Sequence, residues 1–229
     1  MSARASSIRA FEAILAKDLR VELRTLQSVP AMVLFAVTTF VLFRFGLDRS
    51  ELSGSLAAGV LLATVLFAAI LAINRLFVAE RDEGGFDAIR LAPEDGTALL
   101  AAKTAALVVY LLLLEAIALP VFAIFFLDSW AGLAPLAGIL ALTDLGLAAT
   151  GVLVSAIAAN SRARDLLVPL VLLPLLVPVM IAAGGAAEPV LANGGPSYDG
   201  IAKWLGILAL YDVVFLLVGY AVYDFLLED

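Results

Sequence analysis

The chain has 229 residues, of which 63% are hydrophobic and 15% charged, with a net charge of −7; so apolar a balance does not suit a water-facing surface on a domain of this size. It contains no cysteine and no histidine, which removes a disulfide framework, the common zinc sites and any Cys or His nucleophile–base pair, and the acidic balance argues against nucleic acid as a partner. The composition predicts an all-α polytopic membrane protein and no soluble enzyme.

At the N-terminus no apolar core follows the basic residues until Pro30, so residues 1–29 do not read as a cleavable signal peptide. Ile8, Phe11, Leu15, Leu19, Leu23 and Leu26 recur at three- or four-residue spacing, with Arg9, Glu12, Lys17 and Arg20 largely off that stripe. This predicts an amphipathic helix lying in the membrane interface, with a soluble helix packed on another subunit as the alternative.

Six apolar blocks follow, at about 30–47, 56–73, 105–127, 131–159, 166–187 and 201–227, each near the roughly 18 to 25 residues that match a bilayer core. They make residues 30–229 one six-span domain. With the N-terminus inside, Arg4, Arg9, Lys17, Arg20, Arg24, Arg75, Arg81, Arg90, Lys103, Arg162 and Arg164 are inner, and only Arg44, Arg49 and Lys203 are outer. Eleven basic residues against three predict both termini in the cytoplasm of a plasma-membrane protein. The acidic excess would suit a salt-rich environment, an expectation that full stability in low-salt buffer would remove.

The inner connection after the second span, a coupling segment at about 74–100, is charged at first and then amphipathic. Gly84 and Gly85 interrupt the helix leaving the membrane; Phe86, Ile89 and Leu91 alternate with Asp87 and Arg90 until Pro93 stops them. A short cytoplasmic helix of this kind can dock in a groove on a nucleotide-driven partner, its apolar side chains giving binding energy and its charges register. A solvated loop with an incidental interfacial helix is the bland alternative.

Within the spans, Glu115, Asp144 and Asp212, with Tyr211 beside the last, stand where an ionisable group is costly enough to need a partner or a cavity. Pairing with Tyr or backbone groups, or a shallower position, would explain Glu115 and Asp212 without a mechanism. Gly146 and Gly151 near Asp144 would permit close helix contact. Arg162, Arg164 and Asp165, before the fifth span, are either a second inner contact with that nucleotide-driven partner or topological anchors. Pro169, Pro174 and Pro178 predict a hinge or a static kink in that span. Residues 184–200, rich in Gly, Pro, Asn and Ser, read as a flexible external loop, re-entrant at its start.

No phosphate loop occurs, since the paired glycines lack the lysine such a loop requires. ATP chemistry would belong to another chain.

Leu71, Asn74, Arg75, Phe77, Glu80, Gly84, Phe86, Asp87, Ile89, Leu91, Pro93, Ala102 and Lys103 together resemble the pattern around the second and third spans of the haem exporter protein B (CcmB) family, the membrane permease of the cytochrome c maturation ABC system. Asn74 stands where the family has glutamate. The run from Ser161 to Ile181 and the stretches Trp204 to Phe215 and Glu228-Asp229 resemble the family's basic loop, proline-punctuated fifth span and last span.

The resemblance implies a permease subunit, not an enzyme, with ATPase-coupling residues Arg75, Phe77, Glu80, Gly84, Phe86, Asp87, Ile89, Leu91 and Pro93. It implies a CcmA-like ATPase as partner, a CcmC-like membrane protein and a CcmE-like haem chaperone beside it, and a homodimer of the permease in the lipid bilayer. Cofactors bound directly are expected to be none: ATP sits on the partner and haem is a possible cargo. Haem iron takes His, Cys, Met or Tyr, and here only Met1, Met32, Met180 and the tyrosines remain. Haem would therefore be handled without a stable site on this subunit. An ABC exporter permease for a lipid, polysaccharide or drug, and a non-transporting scaffold, are the alternatives.

Overall fold

The computed structural model describes residues 2–46, 52–76, 96–158, 161 and 163–228, with side chains placed between 7 and 222 of these. In lipid every backbone N–H and C=O must be satisfied within the protein, and a continuous apolar run meets that demand as helix. The described residues form α1 (Ser2–Thr25), α2 (Val29–Gly46), α3 (Gly54–Arg75), α4 (Gly96–Phe126), α5 (Leu133–Ala158), α6 (Arg164–Val190) and α7 (Ile201–Glu228). Six of them, α2 to α7, are long and apolar enough to cross a membrane, so the chain is a multi-pass membrane protein. Successive spans alternate in direction, which puts α1 and the ends of α3, α5 and α7 on one face of the bundle.

The centre is α5. It packs against α3, α4, α6 and α7, and its stretch from Gly146 to Ser155 is buried without a break. Small residues bring the neighbours close: a Cβ on Gly151 would lie 2.5 Å from Ile73 Cδ1, and one on Gly146 would lie 2.7 Å from Asp212 Oδ1. Towards the opposite face, Phe40 of α2 meets Phe122 and Phe126 of α4, with ring centroids 5.4 and 6.2 Å away.

Three features differ from the sequence-based expectations. The third span begins early, at Gly96, and its helix includes Pro120. The fifth span runs unbroken to Val190 through all four of its prolines, so residues 184–190 are helix, not loop. Gly185 belongs there because the Trp204 ring lies against it and leaves no room for a Cβ.

The third difference concerns α1. Ala10, Asp18 and Glu22 face inward, with Ile14, Leu15 and Leu19 half-buried against α4, while Ile8, Leu23 and Leu26 of the apolar stripe remain exposed. The helix docks on its own chain through a face rotated from its apolar stripe. Polar anchoring described below accounts for that rotation.

Candidate functional site

The last carbonyls of a helix have no partner within it and carry the negative end of the helix dipole, so cations gather there. At the end of α3 the gathering is dense. Arg164, at the start of α6, donates from Nη2 to the Asn74 carbonyl at 2.9 Å and to Ser155 Oγ at 3.2 Å. Ser155 of α5 donates its hydroxyl to the Ile73 carbonyl at 3.2 Å. Lys103 of α4 donates from Nζ to the Leu76 carbonyl at 3.1 Å. Arg75 reaches back from Nη1 to the Gln27 carbonyl between α1 and α2, at 2.9 Å.

Two of these cations are removed from water: Lys103 is 2% exposed and Arg164 3%. Neither is a solvated surface charge. The end of α3 is thus gripped by α4, α5 and α6 at the point where the chain leaves the bundle towards residues 77–95.

The same lysine ties in α1. Lys103 Nζ stands 2.9 Å from Asp18 Oδ2, and Tyr110 of α4 donates its hydroxyl to the Asp18 main-chain carbonyl at 3.2 Å. One turn on, Glu22 Oε1 accepts from the backbone N–H groups of Ser28 and Val29 at 2.9 and 2.8 Å, which caps the start of α2 with a negative charge where the dipole favours one. Asp18 and Glu22 lie four residues apart, on one side of a helix. That spacing was the available signal for these two residues, whereas the apolar stripe pointed to a different face.

Of the residues singled out in the sequence, Arg75 and Arg164 meet at this site. Asp165 does not; it is exposed in the first turn of α6, where its charge complements the helix dipole. Phe77, Glu80, Gly84, Phe86, Asp87, Ile89, Leu91 and Pro93, with Arg162, lie outside the described residues. Asn74 contributes its main-chain carbonyl to the grip, a contact that does not depend on which side chain stands there. Lys103 stands out in the sequence as an inner basic residue and as part of the family pattern, and Ser155 and Tyr110 carry no signal there.

A second polar set lies inside the bundle. Glu115 of α4 and Asp144 of α5 face each other, 4% and 0% exposed, and Asp212 of α7 is 2% exposed. Tyr211 bridges helices: its hydroxyl donates to the Leu175 carbonyl at 2.9 Å and lies 3.0 Å from Thr150 Oγ1. A hydroxyl has a single proton to give, so Thr150 is the donor in its pair. Leu175 stands between Pro174 and Pro178 on α6, and its carbonyl has this hydroxyl of α7 as a partner outside its own helix. Pro174 and Pro178 are exposed and Pro169 half-buried, all within a continuous helix.

Met32 is fully buried. Met180 borders an apolar groove of about 640 Å³ with Leu66, Leu173, Pro174, Val177 and Ile181.

The sequence profile of the CcmB protein family matches residues 9–225, nearly the whole chain, including residues 77–95 and both polar sets. No curated protein matches the chain in a sequence search.

Proposed function

The chain belongs to the CcmB family, and from that membership we propose that it is the membrane permease of an ABC complex for haem handling in c-type cytochrome biogenesis, driven by ATP hydrolysis on a separate CcmA-like subunit. The observation that carries the reading is the grip on the end of α3. Lys103, Ser155 and Arg164 fix the Ile73, Asn74 and Leu76 carbonyls to three other helices. A push received by residues 77–95 from an ATPase enters the bundle through that end and reaches α4, α5 and α6 at once, with α1 following through Asp18.

The basic residues of α1 and of the site share one face, and the positive-inside rule supports a cytoplasmic location for it, with both termini there. ATP is available on that side. Passage of haem between a CcmC-like protein and a CcmE-like chaperone is favoured over a haem site on this chain, since Met32 is sealed in the core and Met180 borders a groove lined by hydrocarbon side chains. Two ATPase subunits face two membrane halves in ABC systems, which supports self-pairing of this six-span chain.

Co-expression with the ATPase tests the partnership. The intact chain is expected to copurify with the ATPase, and Phe86→Ala, Asp87→Asn and Leu91→Ala together to abolish that while leaving membrane insertion unchanged. Copurification undiminished by the triple change would remove residues 77–95 as the docking element.

A further inference from the structure

The carboxyl groups inside the bundle share a depth. Glu115, Asp144 and Asp212 each lie eleven residues from the helix end at the face opposite α1, namely Phe126, Leu133 and Ile201. At about 1.5 Å per residue that is roughly 16 Å, the middle of a hydrocarbon core about 30 Å thick. Glu115 and Asp144 are in direct contact across the α4–α5 interface. Both Asp144 oxygens and Glu115 Oε1 are buried and have no hydrogen-bond donor among the described residues.

Among the described residues no cation serves the pair. The only charged residue in α3 is Arg75 in its last turn, the only one in α2 is Arg44 in its last turn, and α6 carries its charges, Arg164, Asp165 and Glu188, in its terminal turns. Lys103 lies three turns away on α4, committed to Asp18 and Leu76. From α7 the group at this depth is another acid, Asp212, held against Gly146 on a different side of α5 beside Tyr211. The acidic and basic residues of α1 belong to the face below.

Two ionised carboxylates in contact, with hydrocarbon around them and no cation, repel each other in a medium that screens poorly. A single proton converts the repulsion into a short charge-assisted O–H···O⁻ hydrogen bond, which satisfies oxygens otherwise bare. A small cation would need more oxygen ligands than this pair offers, and among the described residues three acids nowhere converge closely enough to hold a metal ion.

We propose that Glu115 and Asp144 form a proton-binding site at the membrane midplane, holding a proton between them while α4 and α5 are packed and giving it to water when the two helices part. In that step one carboxyl O–H bond breaks, the proton passes to an entering water molecule, and two solvated carboxylates remain. Holding the proton depends on the bundle alone. Its release rests on the permease reading, in which ATP hydrolysis moves the helices.

Infrared spectroscopy of the full chain in lipid nanodiscs at neutral pH tests the site without any partner. The expected result is a protonated-carboxyl C=O band, shifted in D₂O, that is lost from the double variant Glu115→Gln/Asp144→Asn. Asp212→Asn leaves that difference unchanged. Gln and Asn keep the size of the native groups, and an unchanged thermal midpoint confirms that the variants fold. Identical spectra for wild type and double variant would overturn the site. A pair with no protonated band, but with a Na⁺- or K⁺-dependent thermal shift lost in the double variant, would overturn it in favour of a small cation. In the complex with the ATPase, ATP is expected to diminish the band; a band present but indifferent to ATP overturns the release step alone, and the copurification experiment judges the partnership separately.

Discussion

Lys103 and Asp18 leave water together, and each is tolerable there because of the other. Desolvating a charge costs several kcal/mol, and the Lys103 ammonium offsets it with the Asp18 carboxylate at 2.9 Å and the Leu76 carbonyl at 3.1 Å. Removing Lys103 leaves the buried Asp18 carboxylate to the exposed Lys17, whose Nζ stands 3.3 Å from Oδ1. Lys103→Met is therefore expected to destabilise the protein by about 3 to 5 kcal/mol, and adding Asp18→Asn to recover most of that loss. Thermal midpoints in detergent measure both; a double variant no better than the single would show that Lys103 acts independently of Asp18. Sequence reasoning read Asp144, Glu115 and Asp212 as internal because hydrocarbon flanks them on both sides. It missed Asp18 and Glu22, which stand in a helix rich in charge and look like solvated positions until their partners on α4 and α2 are seen.

At the scale of the helix, the spans were legible because lipid leaves the backbone no other way to satisfy itself over a long apolar block. Their contacts were not, since apolar side chains face lipid and neighbouring helix alike, and only small residues and polar groups mark a seam. Gly146 and Gly151 were such marks and are close contacts. Gly206, equally apolar in setting, is open, with nothing within 4 Å of a built Cβ. Gly151→Ala should push its methyl against Ile73 and lower stability by about 1 to 3 kcal/mol, whereas Gly206→Ala should be neutral or slightly stabilising through helix propensity. Equal thermal shifts for the two variants would contradict the packing of α3 on α5. The α1 stripe does not mark the face that meets the protein, for a related reason. Apolar periodicity shows which residues avoid water, and at a membrane interface lipid can satisfy that demand while the protein is met through polar anchors.

For the whole molecule, the alternation of the spans and the charge bias between the two faces make one topology. The chain has no native cysteine, so single cysteines can report on it. A membrane-impermeant thiol reagent applied to intact cells should label Asn193→Cys, in the exposed connection before α7, and leave Thr25→Cys, at the exposed end of α1, unlabelled. The reverse pattern would invert the topology and move the α3 site away from ATP. The family pattern in the sequence points to residues 74–93 for the proposed coupling, but not to how the bundle would receive it. That depends on Lys103, Ser155 and Arg164, which lie on three other helices and converge only on folding.

The most direct test of this transmission is Arg164→Gln in the complete complex, with ATP hydrolysis, ATPase retention and c-type cytochrome formation measured side by side. The guanidinium holds the Asn74 carbonyl and Ser155 together. Its loss is expected to leave the ATPase bound and hydrolysing while cytochrome formation falls at least tenfold, the loss from about 1.4 kcal/mol of coupling. Cytochrome formation at the wild-type level, with Arg164→Gln folded and the ATPase attached, would contradict the claim that the end of α3 carries the partner's work into the bundle.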